Sequence, residues 1–315
     1  MKAYYIGVEG AKTRLEPREV PQPVAGPGQV LVKVKAASLN RGEFIVGGLT
    51  KAGEAKPAGN EVAGDVVGTN QRVMGRCAGA YAEYALMDAR EAIPIPAHLS
   101  YEEAASIPLV FMVVHDMLVE QGKLKAGEWL LVAGISSGVG VAALQVAKAL
   151  GAKVIGTSGS EAKLARLKPL GLDVPILTRK PDFQKKVMEA TDGKGANLAI
   201  NTVGGTVFPE LVRSLAFEGR LAIVGYVDNT LTSEFPLETV HVNRLRIFGV
   251  SNKKRTADMR AGTVKGFVAD VLPLFASQKI RPLVDQVFDF ADIEKAKAYM
   301  ESDAHVGKVV VKIGA

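Results

Sequence analysis

Apolar residues run without a break over 129–133, give way to Gly134-Ile135-Ser136-Ser137-Gly138-Val139-Gly140, and resume with a helical period over 141–150 before Gly151. A short apolar run, a turn of small residues and a periodic segment closed by glycine predict a strand, a tight loop and a helix starting near Val139. A second strand over 152–157 completes a strand–helix–strand unit. Further runs at 173–178, 196–202, 220–225 and 244–250, most of them separated by helical patterns, predict an α/β region. Its fold class is a doubly wound parallel sheet, with the loops after the strands meeting at their carboxyl ends.

The first 105 residues follow a different rhythm. Gln29 to Lys35 alternates, 61–68 is strand punctuated by glycine, 81–86 is another strand, and prolines at 17, 21, 23, 27, 94 and 96 mark turns. This predicts an all-β region. Helical patterning begins at Tyr101 and continues through a stripe over 110–121. Beyond 251 come a helical stretch over 257–278, an extended 284–290, an amphipathic 292–300 and a last strand over 308–313. That tail has no core of its own and is expected to return to the β region. The expected domains are therefore 1–115 with 252–315, and 116–251 between them.

At 315 residues, 48% hydrophobic and 23% charged, the composition is that of a globular chain long enough for two domains. The 39 basic residues exceed the 33 acidic ones by six but are dispersed, without a block that would suggest nucleic acid. The single cysteine, Cys77, forms no disulfide within the chain and suits a reducing compartment. The apolar core at the N-terminus is too short for a signal peptide, and His115 and Asp116 interrupt the most apolar window, so no membrane segment is expected and the cytoplasm is the expected location.

The glycine loop is the first candidate site. Gly138 and Gly140 let backbone N–H groups approach a pyrophosphate that would face Ser136, Ser137, Gly138 and Val139. Ser137 breaks the strict G-x-G-x-x-G spacing, and a turn without ligand would read the same way. The loop positions place Asn201, Thr202 and Val203 on the ribose or nicotinamide side, Gly225 and Tyr226 in the next loop, and the backbone of Phe248, Gly249 and Val250 at the carboxamide. Tyr226 and Phe248 read equally as packing. An NAD site wants an acid near the end of the second strand. This chain has Gly156-Thr157-Ser158-Gly159-Ser160 there, then Glu161, Lys163 and Arg166. Ser158 and Glu161 have the spacing of a capping box, whereas Ser158 and Lys163 suit a 2′-phosphate. Four histidines and one cysteine show no metal-ligand spacing.

Segments 32–40 (Val-Lys-Val-Lys-Ala-Ala-Ser-Leu-Asn), 59–64 (Gly-Asn-Glu-Val-Ala-Gly), 79–84, 99–105, the glycine loop, 201–205, 219–225 and 305–310 carry a resemblance over nearly the full length. In this order they resemble the zinc-independent quinone oxidoreductase branch of the medium-chain dehydrogenase/reductase superfamily. The resemblance implies a GroES-like β domain, a Rossmann domain, NADPH as cofactor and a homodimer joined through Rossmann edge strands. Residues 244–250 are the candidate edge, although a covered strand would read alike. Lys163 matches a phosphate-binding lysine, Thr178 stands where relatives often have tyrosine, and Arg179 is its candidate substitute. Gly307 and Lys308 match a stretch that reaches the cofactor. In zinc-dependent relatives a cysteine stands near Asn40 and a histidine at Asn60, so no metal is expected here.

Hydride transfer without a Lewis acid suits a quinone or an α,β-unsaturated carbonyl, with NADPH as donor. Asn40 is the first candidate for a donor to the substrate and Glu43 the second; the alternatives are a turn cap and a solvated carboxylate. With Ile45 near where some relatives carry tyrosine, the proton is expected from solvent. Loops 42–57 and 252–262 shape the acceptor site without a readable code, which leaves enoyl thioesters and haloacrylates open. A non-catalytic NADPH-binding protein is a further alternative.

Overall fold

The computed structural model describes residues 1–46 and 53–314. The chain divides into two compact units, Met1–Val110 with Arg260–Val268 and Pro282–Ala315, and Phe111–Met259 with Ala269–Arg281. The first boundary thus falls five residues before the one expected from sequence, and the stretch 252–281 is shared between the units.

The first unit opens with strands β1 (Lys2–Glu9), β2 (Lys12–Glu19), β3 (Gln29–Ser38), β4 (Lys56–Pro57), β5 (Glu61–Val66), β6 (Arg72–Arg76), β7 (Tyr84–Asp88) and β8 (Ile93–Pro94). Helix α1 (Tyr101–Ala105) follows, held at its start by a reciprocal Ser100–Glu103 capping box. Helix α2 (Pro108–His115) leads into the second unit.

That unit alternates strictly: β9 (Trp129–Ala133), α3 (Gly138–Ala149), β10 (Lys153–Ser158), α4 (Glu161–Leu167), β11 (Val174–Leu177), α5 (Gln184–Ala190), β12 (Ala196–Asn201), α6 (Phe208–Arg213), β13 (Leu215–Ile223), α7 (Leu237–Val242) and β14 (Arg246–Gly249). All six strands run parallel in the order β11-β10-β9-β12-β13-β14. Strand β9 is central, and Leu130 to Ala133 are wholly buried on both faces, which is why this run reads as continuously apolar rather than alternating. The order reverses between β9 and β12, where an open parallel sheet binds ligands beyond its carboxyl ends. Strand β14 begins two residues later than expected because Arg244 adopts a left-handed φ of 52°, and it forms one edge of the sheet.

Helices α8 (Ala257–Asp270) and α9 (Leu272–Ala276) replace the single helical stretch expected there; the break falls at Val271, just ahead of Pro273. The chain then makes β15 (Val284–Asp289), α10 (Ile293–Glu301) and β16 (Lys308–Lys312). In the first unit β16 pairs antiparallel with β3, so the last strand of the chain lies beside Ser38 and Ala37. A core of Val32, Val34, Val62, Tyr81, Ile293, Val309 and Val311 closes over that sheet. No helix among the described residues is long and apolar enough to cross a membrane.

Candidate active site

In the second unit the β9–α3 loop is built by its own side chains. Ser137 caps α3: its hydroxyl accepts from the Gly140 N–H at 3.1 Å and donates to the Gly134 carbonyl at 2.9 Å, and its own N–H also reaches that carbonyl at 3.1 Å. A Cβ on Gly140 would stand 2.5 Å from the Ile135 carbonyl oxygen, so only glycine lets the helix start this close to the strand. First-turn N–H groups have no partner inside a helix. With Gly140 served by the cap, the N–H groups of Gly138 and Val139 are left for an anion, and Ser136, Ser137, Gly138 and Val139 are all half-buried. Ser137 shapes this cradle with groups already spent.

Asn201 and Thr202 also hold backbone. The Asn201 amide donates to the Gly204 carbonyl at 2.9 Å and accepts from the N–H groups of Val203 at 3.0 Å and Gly204 at 2.9 Å. The Thr202 hydroxyl donates to the Ala133 carbonyl at 2.7 Å, tying the end of β12 to the end of β9. Val203 and Gly225 lie half-buried in the loops beyond, and Tyr226 is 50% exposed, which removes its packing alternative. Phe248 is half-buried in β14, the Gly249 carbonyl accepts from Gln121 at 3.3 Å, and Val250 is buried.

At the end of β10, Thr157 and Ser158 are buried. The cap of α4 is Ser160, whose hydroxyl accepts from the Lys163 N–H at 3.4 Å, and not Ser158. Ser158 is still strand, so its hydroxyl accepts from the Ser160 N–H at 3.3 Å and shapes the turn. Lys163 is half-buried on the first turn of α4. The Thr178 hydroxyl is consumed in its own turn, accepting from the Lys180 N–H at 2.9 Å and donating to Asp182 at 2.5 Å.

The first unit holds a second polar cluster. Its centre is Asn40, whose amide nitrogen donates to Glu43 at 3.0 Å and to Glu61 at 2.8 Å. The Lys308 ammonium donates to the Asn40 side-chain oxygen at 2.7 Å, to Glu61 at 3.0 Å and to the Leu39 carbonyl at 3.0 Å. An ammonium only donates, which fixes the orientation of the Asn40 amide. Both N–H bonds of Asn40 are thus spent, and the expected donor to a substrate is a bridge between two carboxylates. Lys308 is buried with all three of its protons used inside this unit, so the structure turns it toward Glu61. Gly307 precedes it at φ 86°, where a side chain would meet Leu283.

Glu43 is buried rather than solvated, and Tyr81 donates to it at 2.6 Å. Burial pushes its carboxyl up to about 7, against hydrogen bonds from Tyr81, Asn40 and Asn60 that favour the anion and a neighbouring Glu61 that opposes it. Burial, followed by the Glu43 charge, drives the Tyr81 phenol well above its ordinary range. Glu61 is held differently, by Lys308, Asn40, the Ser38 hydroxyl at 2.5 Å and the Leu109 N–H at 2.8 Å. Glu61, Tyr81 and Ser38 escaped the sequence reading. Their signal was an acid opening an apolar strand and a lysine opening another, each of which needs a partner once buried.

Residues 138–265 match a family described as zinc-binding dehydrogenase. A zinc-type alcohol dehydrogenase-like protein of Schizosaccharomyces pombe is 31% identical over 338 residues, covering 95% of this chain and 94% of the relative. The chain belongs to the medium-chain dehydrogenase/reductase superfamily.

Within the superfamily, acryloyl-coenzyme A reductase of Sulfurisphaera tokodaii is 29% identical over 352 residues, covering 99% of this chain and all of the relative. Highly reducing polyketide synthase 40 of Fusarium pseudograminearum is 30% identical over 306 residues, and there the chain spans only 12% of the relative's length. Among solved structures, the quinone oxidoreductase of Thermus thermophilus, known also in complex with NADPH, is 27% identical with a TM-score of 0.83, covering 99% of this chain and 100% of that one. The family description implies zinc, but the residues of this medium-chain dehydrogenase/reductase do not fit it. Among the described residues no three His, Cys, Asp or Glu side chains gather to hold a metal. Asn40 and Asn60 offer amides, and the Lys308 ammonium already neutralises Glu61 and faces the Asn40 oxygen, where a dication would be repelled.

Proposed function

We propose that the chain is an NADPH-dependent, zinc-independent reductase that transfers hydride to a quinone. The observation that carries this reading is the β9–α3 loop, with two N–H groups left for a pyrophosphate and a glycine that no other residue can replace; a solved relative with this fold is known in complex with NADPH. Ser136, Gly138 and Val139 would hold the pyrophosphate, Ser158 and Lys163 the 2′-phosphate, and Val203, Gly225, Tyr226 and the Phe248–Val250 backbone the nicotinamide side. When bound, NADPH supplies the hydride. The protein's own contribution to the chemistry comes from the cluster around Asn40. Lys308 and Glu61 lock the Asn40 amide, and Asn40 and Asn60 are the half-buried members against which an acceptor would lie. Glu43 holds a proton near neutral pH and gives it to the reduced acceptor, so that one hydride and one proton convert the quinone to its hydroquinone. A general acid works best when its pKa lies near the operating pH.

The full-length likeness to acryloyl-coenzyme A reductase favours a second reading, reduction of an enoyl thioester or another activated alkene with the same donor and the same acid. Residues 47–52 of the 42–57 loop, one of the two expected to choose between acceptors, lie outside the described residues. We further propose a cytoplasmic homodimer joined through β14. NADPH consumption should be compared for 1,4-benzoquinone, a 2-alkenal and a crotonyl thioester, each with and without a zinc chelator. Benzoquinone is expected to be turned over fastest and chelator to change nothing. Preference for the thioester would support the second reading, loss of activity with chelator would overturn zinc independence, and NADPH binding without turnover of any acceptor would overturn both reductase readings.

A further inference from the structure

Asp116 stands in the most apolar window of the sequence, and its side chain is only 6% exposed. A buried charge is costly unless it is paired and hydrogen-bonded. Asp116 is both: Oδ2 accepts from the Arg255 guanidinium at 2.8 Å, and Oδ1 accepts from the Gln121 side-chain amide at 3.0 Å. Helix α2 makes this possible by widening after His115 into one π turn, Asp116–Glu120, in which the Gln121 N–H reaches the Asp116 carbonyl at 2.9 Å. At about 100° per residue, side chains five apart on an α-helix point about 140° from one another. The wider turn brings both to one face. The same Gln121 amide also donates to the Gly249 carbonyl at 3.3 Å. Gly249 and Arg255 bracket the stretch where the chain leaves the sheet: the Val250 N–H still donates to the Ile223 carbonyl at 3.3 Å, and β14 has ended before it. Inside that stretch the bonds are short-range turns, Lys253 N–H to the Ser251 hydroxyl at 3.3 Å and Arg255 N–H to the Asn252 carbonyl at 3.2 Å. One buried carboxylate thus fastens both ends of 249–255, and all of these residues belong to the second unit.

We propose that Asp116 is a positioning residue for the nicotinamide end of the dinucleotide, acting through Gln121 and Arg255 on the backbone of 249–255. The proposal rests on the NADPH reading above, in which the Phe248–Val250 backbone faces the nicotinamide side. A ring recognised by backbone needs that backbone in place beforehand, because ordering a loose stretch on binding subtracts from affinity. Asp116 acts through its two partners and not by touching the nucleotide. This gives an acid in an otherwise apolar helix a use beyond holding the helix in place.

The test compares binding of NADPH to the full chain with binding of 2′-phospho-ADP-ribose, the same nucleotide without the nicotinamide ring, by calorimetry and alongside thermal melts. Asp116→Ala removes both contacts, whereas Gln121→Ala, at an exposed position, releases the Gly249 carbonyl and leaves Asp116 paired with Arg255. They are expected to weaken NADPH by about tenfold and about threefold, the scale of a charged and a neutral hydrogen bond, and to leave 2′-phospho-ADP-ribose unchanged. Arg255→Gln is expected to behave as Asp116→Ala does, and Arg255→Lys, which keeps the charge, to restore most of the NADPH affinity. Should Asp116→Ala fail to fold, Gln121→Ala and Arg255→Gln carry the same comparison. Equal losses for the two nucleotides would mark a pair that serves stability alone and would overturn the proposal, as would unaltered NADPH affinity in the folded variants. A native chain that binds neither nucleotide would refute the NADPH reading itself, an outcome distinct from native binding lost evenly in the variants.

Discussion

Glu43 and Glu61 accept from the same amide nitrogen of Asn40, and Glu61 also accepts from the Lys308 ammonium. Two carboxylates this close cannot both ionise cheaply, and burial leaves the proton on Glu43 up to about 7, against an ordinary 4.5. Between those two values the folded chain holds a proton that the unfolded chain has lost. The stability linked to Glu43 is therefore fully present below 4.5 and declines as pH rises through 7, by roughly 3 kcal/mol for a shift of this size. Glu43→Gln, neutral at every pH, should abolish that decline, seen as urea midpoints that no longer fall between about pH 5 and about pH 8. If Glu43 is also the proton donor, native kcat should fall as pH rises past 7, while the variant should have a lower kcat without that limb and an unchanged KM for NADPH. A native kcat that stays flat across this range would remove Glu43 from the chemistry.

At the scale of elements, the β9–α3 loop ties function to backbone space. The Ala methyl of Gly140→Ala would press on the Ile135 and Gly134 carbonyls at 2.5 and 2.7 Å, and neither can move without unseating the end of β9. The expected cost is about 1–3 kcal/mol of stability, with NADPH affinity lost alongside, measured by thermal melts and calorimetry. Gly262, inside α8, has open space at the same position, so Gly262→Ala should instead stabilise by about 0.5–1 kcal/mol and leave binding alone. A Gly140→Ala protein that melts and binds as the native chain does would show that the close approach is dispensable. This loop was legible in sequence because strand, turn and helix are contiguous, and their periodicities change within a dozen residues. The Asn40 cluster was only half legible. Its members come from 38 to 81 and from 308, and the Lys308–Asn40 bond joins residues 268 positions apart, a pairing set by β16 lying beside β3. Local patterning singled out Asn40 and Glu43 but could not show that Lys308 turns inward, or that capping of α4 falls to Ser160.

For the molecule as a whole, alternation of strands and helices foretold the parallel sheet and its central strand, because each crossover returns the chain to the same sheet and leaves few orders open. It could not tell an edge from a covered strand, since both are apolar and short. The structure places β14 at the edge, and in the same unit Phe217, Leu231, Leu237 and Val242 are exposed, Leu237 by 73%. A sheet edge in a unit that also exposes large apolar side chains invites pairing, and a chain that left both bare would risk aggregation. On the homodimer proposed above, a second copy of the same chain would satisfy both demands, because a twofold axis would set one β14 against the other and cover exposed apolar side chains on both. Light scattering should accordingly give twice the monomer mass for the native chain. Leu237→Glu with Val242→Glu should shift it to monomer, because four carboxylates would be buried in the shared surface, while a folded β9–α3 loop should preserve NADPH binding. A native monomer, or a double variant that remains dimeric, would leave the edge to some other cover.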